Sequence, residues 1–245
     1  MRFLAGVLLV CGLLSGGAAS GQSAAAFYTQ SLDCGGIGIR APSVVDPKAL
    51  ELACKRVEIL LEPGPDIRKR LVAKHAELHI MGKDQHMTDM PEYQSRKGKV
   101  IFDNLGQMTN LDARARGLGG LWSVCPEENL LKLPSDRHKG GYDVCLHEFA
   151  HTVMNFGLTD SARKRVGTYY TKAIKQGLWQ DSYAATNPFE YWAELSMWYF
   201  GGHGDNSGRA PKGDGPDALQ AYDPWGYSMM YWLYQGKGEA AFSSG

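Results

Sequence analysis

Apolar positions along this chain change period several times, and each change predicts an element. A continuous apolar run from Phe3 to Leu14 follows a single Arg2 and gives way to Ser15, Gly16 and Gly17. That layout predicts a secretory signal peptide over residues 1–21, cleaved near Ala19 to Gly21. A bilayer span needs about 20 apolar residues, so this run is too short, and no other stretch qualifies. From Asp46, the segment DPKALELACKRVEILL has apolar residues at helical spacing behind an Asp-Pro start and ends at Pro63-Gly64-Pro65. The pattern predicts a helix of about 15 residues with one buried face. The next segment, DIRKRLVAKHAELHIMG, reads as a short helix entering a strand near Ala76 to Met81. KVIFDN and GGLWSVC carry the β-branched and aromatic residues of further strands.

From Gly140 the period becomes helical in three successive segments, DVCLHEFAHTVMNFG, DSARKRVGTYYTKAIKQGLW and NPFEYWAELSMWYF. A Gly-rich loop from Gly201 to Gly215 precedes a last apolar segment, DPWGYSMMYWLYQG. Asp205, Asn206 and Asp214 in that loop lack the spacing of a calcium loop, so it reads as a plain connection, with a mobile rim of the site as the alternative. No repeat or low-complexity linker divides the chain. The expectation is an α+β fold in one domain, residues 27–245, with a small mixed sheet lobe followed by a mainly helical lobe.

Lys plus Arg and Asp plus Glu both total 26 in 245 residues, which leaves no basic excess for nucleic acid. Without Cys11 of the leader, the exported chain keeps Cys34, Cys54, Cys125 and Cys145, an even set for which disulfides are the default. Pairing Cys34 with Cys54 and Cys125 with Cys145 closes two short loops, each worth about 3 kcal/mol. A four-cysteine zinc site lacks the C-x-x-C spacing it would need.

HEFAH, from His147 to His151, places two imidazoles four residues apart on one helix face, with Glu148 one position round. That geometry suits one metal ion and a water activated by Glu148. The competing reading is a core helix with two hydrogen-bonded histidines. His75 and His79 share the spacing, but Ala76 stands where the base would be and His79 falls in a strand, so that pair reads as structural. Val144, Leu146, Phe149, Ala150 and Val153 supply packing around HEFAH, and Asn155 or Gly157 can end its helix.

A catalytic zinc takes three protein ligands and keeps one position open. Met154 and Gly157 stand where an extended three-histidine motif needs Gly and His, so the third ligand must come from elsewhere. Glu190, 39 residues beyond His151, is a candidate. It also has a local alternative, since Asn187, Pro188 and Glu190 match a helix cap, first turn and capping box. Glu194, one turn on, suits the outer carboxylate that commonly accepts from a ligand imidazole. Peptide hydrolysis further needs an oxyanion donor, and Tyr183 competes for that role with Tyr169, Tyr170 and Tyr191 among twelve tyrosines.

Together, HEFAH and YAATNPFEYWAE (Tyr183 to Glu194) resemble the lethal-factor-like family of secreted metallopeptidases, which includes the catalytic domain of anthrax lethal factor. Tyr183, Thr186, Asn187, Glu190, Ala193 and Glu194 fall on the family pattern without a gap, and DCGGIGIRAP, TDMPEY, GLGG and PEENLL resemble segments of its small secreted members. The resemblance implies a zincin-type fold of the gluzincin class with the site between the two lobes. It implies one Zn2+ on His147, His151 and Glu190, Glu148 as general base, Tyr183 as oxyanion donor and Glu194 behind the metal.

The expected activity is that of a zinc metalloendopeptidase acting on a protein or peptide outside the cell, or in the periplasm of a bacterial source. Two other readings remain: a secreted zinc-containing binding protein without turnover, and a zinc amidase acting on cell-wall peptides. Residues Trp122 to Asn129 either line the cleft as an exposed edge for a peptide or form a strand and turn under a disulfide.

Overall fold

The computed structural model describes residues 24, 26–102, 106–138, 140–235 and 238, so the signal peptide expected over residues 1–21 lies outside the described residues. Two strands, β1 (Gln30–Cys34) and β2 (Ile37–Ala41), form an antiparallel hairpin, with Gly35 and Gly36 at positive φ in its turn. Helix α1 (Pro47–Leu61) follows. Its start matches the sequence: the Asp46 side chain accepts from Lys48 N–H at 2.9 Å, a cap worth about 1 kcal/mol. Ala49, Leu50, Ala53, Val57, Leu60 and Leu61 form its buried stripe. Helix α2 (Pro65–Ala73) then leads into β3 (Glu77–Met81), parallel to β2.

A hairpin of β4 (Val100–Phe102) and β5 (Met108–Asn110), followed by the one-turn helix α3 (Leu111–Arg114), stands apart from this sheet. The chain then returns as β6 (Trp122–Pro126), parallel to β3, giving the order β1-β2-β3-β6. A second short helix, α4 (Glu127–Leu130), ends this half. The disulfides join Cys34 to Cys54 and Cys125 to Cys145, with Cα–Cα distances of 5.6 and 4.9 Å. The first ties β1 to α1, and the second ties β6 to the helix that follows.

That helix, α5 (Val144–Thr152), carries HEFAH. Asp143 caps it by accepting from Leu146 N–H at 3.0 Å, and a wider π turn over Val153–Gly157 ends it. Gly157 allows Ile67 to approach, since a Cβ there would stand 2.7 Å from Ile67 Cγ2. Helix α6 (Asp160–Lys175) turns the chain back, and α7 (Pro188–Tyr199) lies against α5. The Gly-rich loop leads to α8 (Gly215–Tyr222) and α9 (Pro224–Tyr234). Trp179, Tyr191, Trp192 and Trp198 are fully buried, as is Phe149. Trp192 Nε1 donates to the Ala150 carbonyl at 2.8 Å, which pins α7 to the metal-motif helix. Mixed strands followed by helices were legible from periodicity, and no described helix is long and apolar enough to cross a membrane. The periodicity missed α8, because Gly215 and Pro216 read as loop.

Candidate active site

His147 and His151 project from one face of α5, with their Nε2 atoms 3.1 Å apart. Glu190, in the first turn of α7, directs Oε2 between them at 3.2 Å from each. The capping alternative fails on geometry. Asn187 caps α7 alone, its Oδ1 accepting from Phe189 and Glu190 N–H at 2.9 and 3.0 Å, which leaves the Glu190 carboxylate to face the imidazoles.

Oxygen and nitrogen donors on one tetrahedral ion at about 2.0–2.1 Å stand about 3.3 Å apart, close to this triangle. Glu190 Oε2 is buried and off the hydrogen-bond direction to both rings, as a metal ligand would be. The donor set therefore fits a zinc ion. Burial alone would raise the Glu190 carboxyl, but the two imidazoles outweigh it and hold the group well below the usual carboxylate range. Burial alone would likewise lower His147, yet Glu190 and Glu194 beside it push it well up.

Glu194 is fully buried and its Oε1 sits 3.3 Å from His147 Nδ1, an ion-pair distance with a bent approach. The same oxygen accepts from Tyr142 O–H at 3.3 Å, and Glu194 Oε2 accepts from Asp205 N–H at 2.5 Å. The Tyr183 hydroxyl lies 3.2 Å from Glu190 Oε1, with its ring 6.2 Å from that of His147. Burial, then the Glu190 charge, raises Tyr183 and keeps it a neutral donor. Two of its rivals are committed elsewhere: Tyr170 donates to Ala185 O and Tyr191 to Asp223 Oδ2.

Glu148 looks into a cleft of about 1100 Å3 that also exposes His147, His151, Tyr183 and Glu190. Burial raises its carboxyl above the ordinary value, while the Gly119 N–H hydrogen-bonds it. The rim above it is the segment Gly117 to Gly119, not Trp122 to Asn129. Strand β6 is occupied on both sides, by β3 and by Leu118, which exchanges two hydrogen bonds with Val124 at 3.0 and 2.9 Å. Of the two readings of Trp122 to Asn129, the structure gives the strand and turn under the Cys125 disulfide. Gly117 and Gly119 let the rim lie directly on α5: a Cβ on Gly117 would be 2.8 Å from Glu148 Oε1, and one on Gly119 would overlap His151 Cβ.

Of the two readings of the Gly-rich loop, the structure favours a rim, since His203 to Ser207 line the cleft. His203 accepts from Gly141 N–H at Nε2 and faces the Gly204 carbonyl with Nδ1, each at 2.8 Å. Its Nδ1 therefore carries the proton. Asp205 Oδ2 accepts from Tyr183 N–H at 2.8 Å. Local sequence held no signal for Asp205, Tyr142 or Gly119, because each matters through a contact with a distant element. The other motif-spaced pair is structural, as expected: His79 is buried between Glu92 at 2.7 Å and Glu77 at 2.9 Å, and His75 is exposed at a positive φ.

The small mixed sheet followed by a mainly helical second half is similar to a zincin-like metallopeptidase fold. Among solved structures, the PRO-PRO endopeptidase (PPEP-2) from Paenibacillus alvei is similar, with a TM-score of 0.59 and 19% identity over 80% of this chain and 97% of that chain. At that identity the likeness is one of fold. No protein-family model and no curated protein matches the chain.

Proposed function

We propose that this chain is a secreted zinc-dependent peptidase of the lethal-factor-like type. The observation that carries the reading is the near-equilateral triangle of His147 Nε2, His151 Nε2 and Glu190 Oε2 beside Glu148 and Tyr183 at the floor of one open cleft. The matching of HEFAH and YAATNPFEYWAE to that family and the fold shared with an endopeptidase support it. The leader peptide and two disulfides support export.

His147, His151 and Glu190 would hold the ion, which when bound would supply Lewis acidity and an acidified water. Glu148, raised by burial and oriented by Gly119, accepts the proton of the attacking water and delivers it to the leaving amine. The neutral Tyr183 hydroxyl donates to the carbonyl oxygen as charge develops there. Glu194 fixes the His147 ring from behind, so that Nε2 faces the cleft. An open cleft and an intact base and donor argue against the non-catalytic binder, since a structural zinc site closes its fourth position and needs neither.

The test is a peptide-library digest by the exported form against a Glu148→Gln control, with zinc measured in both. Retained zinc with cleavage lowered about 10^2-fold or more in the control supports the reading. Zinc without cleavage in the native chain would favour the binder, and products from cell-wall peptides alone would favour the amidase.

A further inference from the structure

The lining of the cleft carries both basic and acidic side chains. Arg114, Arg116 and Arg137 line it together with Asp181 and Asp205, and Arg137 lies beside the Arg114 segment through its contact with Ala113. Arg116 is committed: it pairs with Glu128 at 2.7 Å and donates to the carbonyl of Gln85. Arg137 is exposed, and its contact among the described residues is the Ala113 carbonyl at 3.4 Å. The carboxylates near it are engaged elsewhere. Glu128 holds Arg116, and Asp136 accepts from Asn129 Nδ2 and from His138 N–H at 2.9 Å each.

Partial desolvation, then the neighbouring Arg116 charge, outweighs the favourable Glu128 and Asp136 charges at the Arg137 cation. Like charges gathered on a cleft wall are stabilised by an anion entering between them. Arg114, on the same wall, lies within electrostatic reach of the Tyr183 hydroxyl. The wall also connects directly to the site. His138 stacks on Tyr142 at 4.9 Å and Tyr142 on His147 at 6.0 Å, a span that an extended peptide covers in about three residues.

We propose that this arginine wall, centred on Arg137, is a subsite for a substrate carboxylate, either an acidic side chain or a free C-terminus within about three residues of the scissile bond. The inference rests on the peptidase reading and names its substrate class. The planar guanidinium fork of Arg137 suits bidentate carboxylate recognition.

The probes are fluorescein-labelled, otherwise uncharged octapeptides with Glu or Gln at each position in turn, made as C-terminal amides, and the all-neutral peptide as a free acid and as an amide. Their affinity is measured on zinc-loaded Glu148→Gln protein, and their cleavage is measured on the native chain. Binding about tenfold tighter for a Glu peptide over its Gln partner assigns the side chain, and the same ratio for acid over amide assigns the C-terminus. Adding Arg137→Gln should collapse that ratio to near one while the melting temperature holds, and raised salt should shrink it. Equal binding of all charge pairs, or a preference that survives Arg137→Gln, overturns the subsite. Selective binding without cleavage would instead overturn the peptidase reading, and cleavage without acid selectivity would overturn the subsite alone.

Discussion

The Asp205 carboxylate holds the backbone of Tyr183, with Oδ2 accepting from Tyr183 N–H at 2.8 Å, while Asp205 N–H donates to Glu194 Oε2 at 2.5 Å. One loop residue thus links the candidate oxyanion donor to the carboxylate behind His147. Replacing Asp205 with Ala removes the Tyr183 contact and leaves the backbone link to Glu194. The expected result is a kcat about tenfold lower with zinc affinity unchanged, because a small misplacement of a donor costs rate and not metal binding. In a Tyr183→Phe background the same change should cost little. Equal losses in both backgrounds would mean that Asp205 acts through general loop stability.

Gly119 lies where a Cβ would overlap His151. Gly119→Ala should force the rim away from α5 and cost about 1–3 kcal/mol, the usual range for overpacking. Zinc content and cleavage should fall together, because the displaced rim also withdraws its N–H from Glu148. Thermal melting with and without zinc checks this. A variant that melts and turns over like the native chain would show that the rim is free to shift.

Zinc removal should destabilise the chain by mass action, by about 2.7 kcal/mol when free zinc is 100 times its Kd. A chelator should therefore lower the melting temperature, and added Zn2+ should restore it. Glu190→Gln should reduce this zinc-dependent shift, whereas Phe189→Ala, on the exposed side of the same turn, should leave it in place. A shift of equal size in Glu190→Gln would exclude Glu190 as a ligand.

His79 and its two glutamates predict a pH-dependent stability away from the cleft. Burial alone lowers His79, but Glu77 and Glu92 outweigh it and raise it above 6.5. Burial alone raises Glu92 and Glu77, but His79, joined at Glu77 by Arg40, outweighs it and lowers both below 4.5. The His79 contribution is full below pH 6.5 and is lost as pH climbs through its raised folded value. The glutamate contribution is full above pH 4.5 and is lost as pH drops through the lowered folded values. Stability from this cluster should be greatest between pH 4.5 and 6.5 and decline on going alkaline. His79→Gln should melt lower at pH 6 and lose less from pH 6 to 8. Parallel native and variant curves would rule the cluster out as the source.

The two halves of the fold differ in what could be read directly. Helices α1, α5, α6 and α7 were legible because their apolar spacing, caps and Pro or Gly stops act within a few residues. The HEFAH face was legible for the same reason, since a helix brings positions four apart together whatever surrounds it. Disulfide pairing followed from short loops, and the structure joins those same cysteines. Glu190 and Tyr183 could be named through a family pattern, yet composition and spacing alone left the cap and the rival tyrosines open.

Packing closed those choices. Asn187 caps α7 by itself, so Glu190 is released toward two imidazoles carried by another helix. Tyr170 and Tyr191 are committed to Ala185 and Asp223, which leaves Tyr183 beside Glu190. The Gly117 to Gly119 rim, the Asp205 link and the Arg137 wall left no periodic trace, because each is a juxtaposition of segments far apart in the chain. Amino-acid order sets local conformation through sterics and short-range hydrogen bonds. Which side chains share a cleft depends on how helices and sheet bury their apolar faces against one another, and that is settled across the whole core.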